Sequence, residues 1–193
     1  MSTASRSLFE ADVPDGFRYQ RDFMTRDEET HLAADIARVE LANFEMRGVV
    51  ARRRVAFFGR SYDATAAPVP PIPEFLFPLR ERVAAFAGVA ADAFAMALVN
   101  EYRPGAPIGW HRDAPQYDIV AGVSLLSACR MKFRPYVRPG GRDAAGGRRI
   151  ATHEIDLEPR SAYVMAGAAR SAYEHHIPAV ATLRYSITFR TLR

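Results

Sequence analysis

The stretch "RYSITFR", Arg184 to Arg190, alternates polar and apolar side chains without a break. A period of two is the signature of a half-buried β-strand, on which alternate residues share a face. Arg184, Ser186, Thr188 and Arg190 therefore point one way, and Tyr185, Ile187 and Phe189 the other. If the apolar face packs against helices, the two arginines point into a β core. Buried guanidinium groups need anionic partners, because an unpaired charge there costs several kcal/mol. No carboxylate close by in sequence is an obvious partner. A bound dicarboxylate satisfies both arginines bidentately; the other reading is a pair of arginines on a solvated face.

Outward from this strand, the chain after Ala91 is a series of short runs rich in β-branched and aromatic residues. "AFAMALVNEY", "YDIVAGVSLL", "MKFRPYV", "IATHEIDL" and "SAYVMAG" are separated by Pro, Gly and Asp. Many short strands at even spacing predict a sandwich or barrel. Upstream, "TRDEETHLAADIARVEL" opens with a capping box, Thr25 and Glu28, and carries Leu32, Ile36 and Val39 at helical spacing. A helix over about 26–40 follows. "EFLFPLRERVAAFAGV" predicts a second, with Pro78 in its first turns and Gly88 near its end. The expected fold is mainly β (α+β), one domain over 1–193, with helical support in 1–90 and a β core in 91–193.

Composition narrows the class. Of 193 residues, 49% are hydrophobic and 25% charged, as in a globular protein. No apolar run is long enough to span a bilayer, and the N-terminus has no export-signal pattern. The lone Cys129 excludes an internal disulfide, offers no basis for a thiolate zinc site, and fits a cytoplasmic location. Between Arg130 and Arg149 seven basic residues face one acid, Asp143, and a second cluster comprises Arg47, Arg52, Arg53, Arg54 and Arg60. Such patches are an electrostatic footprint for a polyanion. Equally, 25 of the 26 basic residues are arginine, which fits a general compositional bias.

"GWHRDAPQ", Gly109 to Gln116, places His111 and Asp113 on one face of an extended segment. A third ligand would complete the two-His, one-carboxylate triad of non-haem Fe(II) oxygenases. His31, His153, His175 and His176 are the available histidines. Alone, H-x-D also suits an exposed strand end. Asn100 and Tyr102 share a face on the preceding strand and offer an amide and a phenol to the same ligand.

"NEYRPGAPIGWHRD", "SLLSACRMKFR", "LEPRSAYVMAG", "YEHHIP" and "RYSITFR" resemble, in order and spacing, the successive motifs of the AlkB-like 2-oxoglutarate- and Fe(II)-dependent dioxygenases. The match covers about 100–193, and extends more loosely to "GFRYQRDFMTRDEETHL" and "RRRVAFFGRSYD". It implies a double-stranded β-helix (jelly-roll) core. His111, Asp113 and His175 match the iron ligands, with His175 rather than His176 at the family's position before Ile-Pro. Arg184 matches the residue on the distal carboxylate of 2-oxoglutarate, and Arg190 the one near its metal-chelating end. Asn100 and Tyr102 match contacts to the same co-substrate, and Ser186 stands where the best-known repair enzyme has asparagine.

The implied cofactors are Fe(II), 2-oxoglutarate and O2. The implied reaction is oxidative dealkylation of bases in alkylated DNA or RNA, releasing an aldehyde. The same chemistry on a protein, a modified tRNA or a small molecule is the alternative, and a non-catalytic jelly-roll binding protein is a third class. No membrane and no protein partner is implied. The family's substrate lid falls on "MRGVVARRRVAFFGRSYD". There Arg52, Arg53 and Arg54 would meet phosphates, and Phe57, Phe58 or Tyr62 would stack on a base; the competing reading is a hairpin with core aromatics. The loop after Tyr136 would grip a backbone or face solvent. Where the repair enzyme has a second acid after its ligand aspartate, this chain has Pro115.

Overall fold

A computed structural model describes residues 13–46, 49–60, 69–137 and 152–193. Tyr62, Arg47 and the basic residues Arg138, Arg142, Arg148 and Arg149 lie outside them.

Eleven strands are described: β1 (Phe17–Gln20), β2 (Ala42–Met46), β3 (Val49–Phe58), β4 (Phe94–Tyr102), β5 (Ile108–His111), β6 (Tyr117–Leu125), β7 (Cys129–Pro135), β8 (His153–Leu157), β9 (Ser161–Met165), β10 (Tyr173–Ile177) and β11 (Arg184–Leu192). Seven form a sheet in the order β1-β9-β6-β11-β4-β3-β2, and four form a second, β5-β10-β7-β8. Every pairing is antiparallel. Three helices accompany them: α1 (Arg26–Ala37), α2 (Phe77–Ala87) and the short α3 (Gly167–Ser171).

Local chemistry sets the helix ends. Thr25 and Glu28 exchange side-chain and backbone hydrogen bonds in a capping box at the start of α1. The helix stops three residues before the expected Glu40. Arg38 N–H reaches Asp35 and Ile36 carbonyls and Val39 N–H bonds Ile36, tightening the last turn. Gly88 ends α2 at φ +75°, a left-handed conformation that suits glycine.

The strand alternation read in β11 holds. Tyr185, Ile187 and Phe189 pack in one buried cluster with Leu32 and Ile36 of α1 and Leu79 and Val83 of α2. On the opposite face, Tyr102, Val120, Tyr163 and Met165 of the large sheet meet Met131, Phe133, Leu157 and Ile177 of the small one. The helices thus buttress the outside of the large sheet, leaving its inner face for the space between sheets. No helix among the described residues is long and apolar enough to cross a membrane.

Candidate active site

A cavity of about 530 Å³ opens between the sheets. Its wall includes Asn100 and Tyr102 of β4, His111 and Asp113, His175 of β10, and Ser186, Thr188 and Arg190 of β11. Strand register brings these together. Ser186 sits opposite Asn100 on one side and Ser124 on the other, while Arg184 sits opposite Tyr102. In the small sheet His175 pairs directly with His111, and their rings lie 4.1 Å apart.

The two imidazoles are held neutral. Burial lowers the pKa of His111; for His175, burial and then the adjacent His111 push it down to about 3. His111 Nδ1 lies 2.9 Å from the Gly109 carbonyl oxygen, which only accepts, so the proton sits on Nδ1 and Nε2 carries the lone pair. His176 faces the other way: its Nδ1 donates to the Ile108 carbonyl at 2.7 Å and its ring lies 5.1 Å from that of Trp110.

Asp113 is buried, with Oδ2 3.7 Å from His175 Nε2. Burial alone would raise its pKa. Arg190, with the two histidines beside it, instead holds the carboxyl far below the usual carboxylate range. As they stand, the three side chains are neighbours rather than an assembled cage: no group of three His, Cys, Asp or Glu among the described residues already encloses an ion position.

Arg184 is fully buried. Its Nε donates to Ser124 Oγ at 3.0 Å and its guanidinium lies 5.0 Å from the Tyr102 ring centroid. Its two terminal nitrogens have no hydrogen-bond partner among the described residues. A buried guanidinium with two unpaired nitrogens has the donor geometry to hold an anion such as a carboxylate.

The family model for the 2OG-Fe(II) oxygenase superfamily matches residues 17–190, nearly the whole described chain. The chain belongs to this superfamily. It is a 2-oxoglutarate-dependent oxygenase, and Fe(II), 2-oxoglutarate and O2 are the cofactors of the superfamily. Within it the chain resembles a relative named as an AlkB homologue. It is 30% identical over 177 residues to an Arabidopsis thaliana protein named "Alkylated DNA repair protein ALKBH8 homolog", covering 81% of this chain and 49% of that one. The chain thus spans about half the length of that curated relative. The fold matches the structure of OsALKBH1 at TM-score 0.63 and 14% identity, covering 93% of this chain and 99% of the other. It also matches a Pseudomonas putida prolyl-4-hydroxylase at TM-score 0.58 and 16% identity, covering 92% and 93%. These likenesses establish the double-stranded β-helix.

The oxygenase's donor chemistry fits its metal: two neutral imidazoles and one carboxylate suit Fe(II) with positions left open. The expected substrate contacts separate. Alternation along β3 turns Arg53 into the cavity, where its Nε donates to Asn100 Oδ1 at 3.3 Å and its guanidinium lies 4.4 Å from the Phe44 ring centroid. Arg54 projects to the opposite face and binds Glu101 with two hydrogen bonds of 2.9 and 2.8 Å. Arg52 is exposed and lies outside the cavity wall. Phe57 packs beside Phe44, ring centroids 6.1 Å apart, and Phe58 is buried against the helices.

Sequence reading missed four residues here. Ser124 was legible as a lone hydroxyl inside the apolar run "AGVSLL". Phe44 and Trp110 line the cavity without a distinguishing pattern. Arg170 of α3 donates Nη2 to the Ala114 and Tyr117 carbonyls, at 2.6 and 2.9 Å, and so fastens the loop that follows Asp113.

Proposed function

We propose that this oxygenase oxidatively dealkylates alkylated bases in DNA or RNA, with His111, Asp113 and His175 holding the iron and Asn100, Tyr102, Arg184, Ser186 and Arg190 serving 2-oxoglutarate. The observation that carries the co-substrate assignment is Arg184, buried with both terminal nitrogens lacking a hydrogen-bond partner among the described residues. A carboxylate is the anion whose geometry matches that fork. Nucleic acid as the substrate is supported by the Arabidopsis relative, which is named an alkylated DNA repair protein homologue.

Iron with 2-oxoglutarate and O2 supplies C–H hydroxylation, with succinate and CO2 as co-products. Each residue has a role around that chemistry. The Gly109 carbonyl fixes the His111 tautomer, so that Nε2 is the free donor. Arg190 keeps Asp113 ionised and oriented. Ser124 braces Arg184 by accepting from its Nε, which leaves the two terminal nitrogens for the co-substrate. The apolar wall, including Leu98, Met131 and Ile177, excludes water from the reacting carbon. A hydroxylated N-alkyl carbon then breaks its C–N bond, giving the free base and an aldehyde.

A protein substrate is the competing reading, since one solved neighbour is named a prolyl-4-hydroxylase. Incubation with Fe(II), 2-oxoglutarate and oligonucleotides bearing 1-methyladenine, 3-methylcytosine or ethenoadenine separates the two. Base restoration and succinate, both lost in His111→Ala, are expected. Succinate without restoration of any base would overturn the nucleic-acid reading and leave the oxygenase intact.

A further inference from the structure

A second cavity, of about 470 Å³, lies against the first and shares with it the segment Arg112, Asp113 and Ala114. Its lining includes three arginines from three parts of the chain: Arg112 beside the metal-ligand pair, Arg170 of α3, and Arg193 after β11. The lining contains one acidic side chain, Asp113, and Arg190 already engages it. The side chains of its lining are therefore predominantly cationic.

The guanidinium groups of Arg112 and Arg170 are anchored, and Arg193 is placed at the rim by its backbone. Arg170 is 5% exposed and donates to two carbonyls of the loop after Asp113. Arg112 lies 3.5 Å from the Tyr136 ring centroid and donates Nη1 to the Ser171 carbonyl at 3.3 Å. Arg193 is tied through its backbone N–H to the Gln116 carbonyl. Holding the Arg112 and Arg170 guanidinium groups in place in advance lowers the entropic cost of gripping an anion.

We infer that this second cavity is a phosphate-binding subsite for the backbone of a nucleic-acid substrate, formed by Arg112, Arg170 and Arg193. The inference rests on the nucleic-acid reading above and deepens it. The two cavities meet at Arg112, Asp113 and Ala114, so a nucleotide with its base in one can place its phosphate in the other. A base presented to His111 and Asp113 leaves its phosphate beside Arg112. Several arginines around one concavity suit a phosphate's multiple acceptor oxygens. The expected but divided cluster of Arg52, Arg53 and Arg54 offers no comparable convergence.

The test uses the whole chain and fluorescence anisotropy with a labelled, short single-stranded DNA, titrated across salt concentrations. Arg112→Gln combined with Arg193→Gln spares the buried Arg170, and thermal melting checks that the variant folds. Arg193→Gln alone is the second variant, carrying less risk to the fold. Single-strand binding loses about 0.7 in the slope of log K against log salt for each phosphate contact removed. The double variant is expected to bind about tenfold more weakly at low salt, with a slope about 1.4 shallower. The single variant is expected to lose about half of that slope, and a methylphosphonate version of the DNA is expected to erase the difference between wild type and variants.

Wild-type binding that both variants leave unchanged in strength and slope overturns this subsite while leaving the nucleic-acid reading in place. A wild type that turns over 2-oxoglutarate but does not bind DNA or the matching RNA overturns both. Weakened binding of a polyglutamate probe, with DNA binding unaffected, overturns the subsite in favour of an acidic protein substrate.

Discussion

Arg190 grips Asp113 from the opposite sheet, its Nε and Nη2 both donating to Oδ1, at 2.9 and 2.7 Å. The pair is buried, and Arg190 Nη1 is braced in turn by Thr188 Oγ1 at 2.8 Å. One oxygen of the carboxylate is thereby committed to the arginine, while the other points towards His175. Arg190→Gln removes the cation but leaves the buried carboxylate, a loss worth about 3–5 kcal/mol for a buried pair. The expected result is a lower apo melting temperature and about 10- to 100-fold weaker Fe(II) binding, the scale of lost support behind a metal ligand. Manganese titration at constant protein concentration measures the second effect. Unchanged metal affinity would show that Arg190 stabilises the fold without orienting Asp113.

Arg184 is expected to behave in the opposite way. In the apo protein its burial is only partly compensated, so Arg184→Met removes a desolvated charge at nearly constant length. Apo stability should hold or rise. The gain in melting temperature on adding 2-oxoglutarate, present in the wild type through selective binding to the folded state, should disappear. The KM for 2-oxoglutarate should rise about 100-fold, the loss of a charge-assisted bidentate contact of roughly 3 kcal/mol. A thermal-shift titration checks all but the KM, and retention of the full ligand-induced shift would refute the assignment.

The inner face of β11 was legible because strand periodicity alone divides seven residues into two faces, and the apolar set fixes which face meets the helices. The partner of Arg190 was not legible. Asp113 lies 77 positions away, in the loop after β5 of the other sheet, so the ion pair exists only once β5 and β11 face each other across the core. Arg52, Arg53 and Arg54 show the converse failure. Adjacent in sequence, they looked like one cluster, yet a strand sends neighbours to opposite faces. On the competing hairpin reading of this segment, the rule that read β11 divides them.

The Arg54–Glu101 pair sets an acid limit on stability. Two hydrogen bonds from Arg54 and one from Arg103 hold the Glu101 carboxyl below its ordinary value of 4.5, despite burial that favours the neutral form. The folded pKa is depressed relative to the unfolded one. The contribution is therefore complete above about pH 4.5 and is lost as pH falls through the folded value. Glu101→Gln should cost about 1–3 kcal/mol at pH 7 and flatten the acid side of the stability curve. Urea titrations at several pH values test this; a constant difference between the proteins down to pH 3 would contradict it.

Gly122 provides a probe of the cavity wall that touches no ligand. It faces Tyr163 across the β6–β9 pairing, and a Cβ there would fall inside the space of the Tyr163 ring. The ring is confined, since it stacks on Phe17 with centroids 5.9 Å apart, and it lines the cavity near Met131. Gly122→Ala keeps ordinary strand geometry, so its effect is steric. Accommodating the methyl group must push Tyr163 towards the co-substrate space, at about 1–3 kcal/mol of stability. The KM for 2-oxoglutarate should rise, and adding Tyr163→Phe should recover only part of it, because the ring carbons clash as well as the hydroxyl. Adding Tyr163→Leu, which removes the ring, should restore binding. If Gly122→Ala melts earlier but keeps the wild-type KM, the ring has moved away from the cavity, and Tyr163 does not bound the co-substrate space.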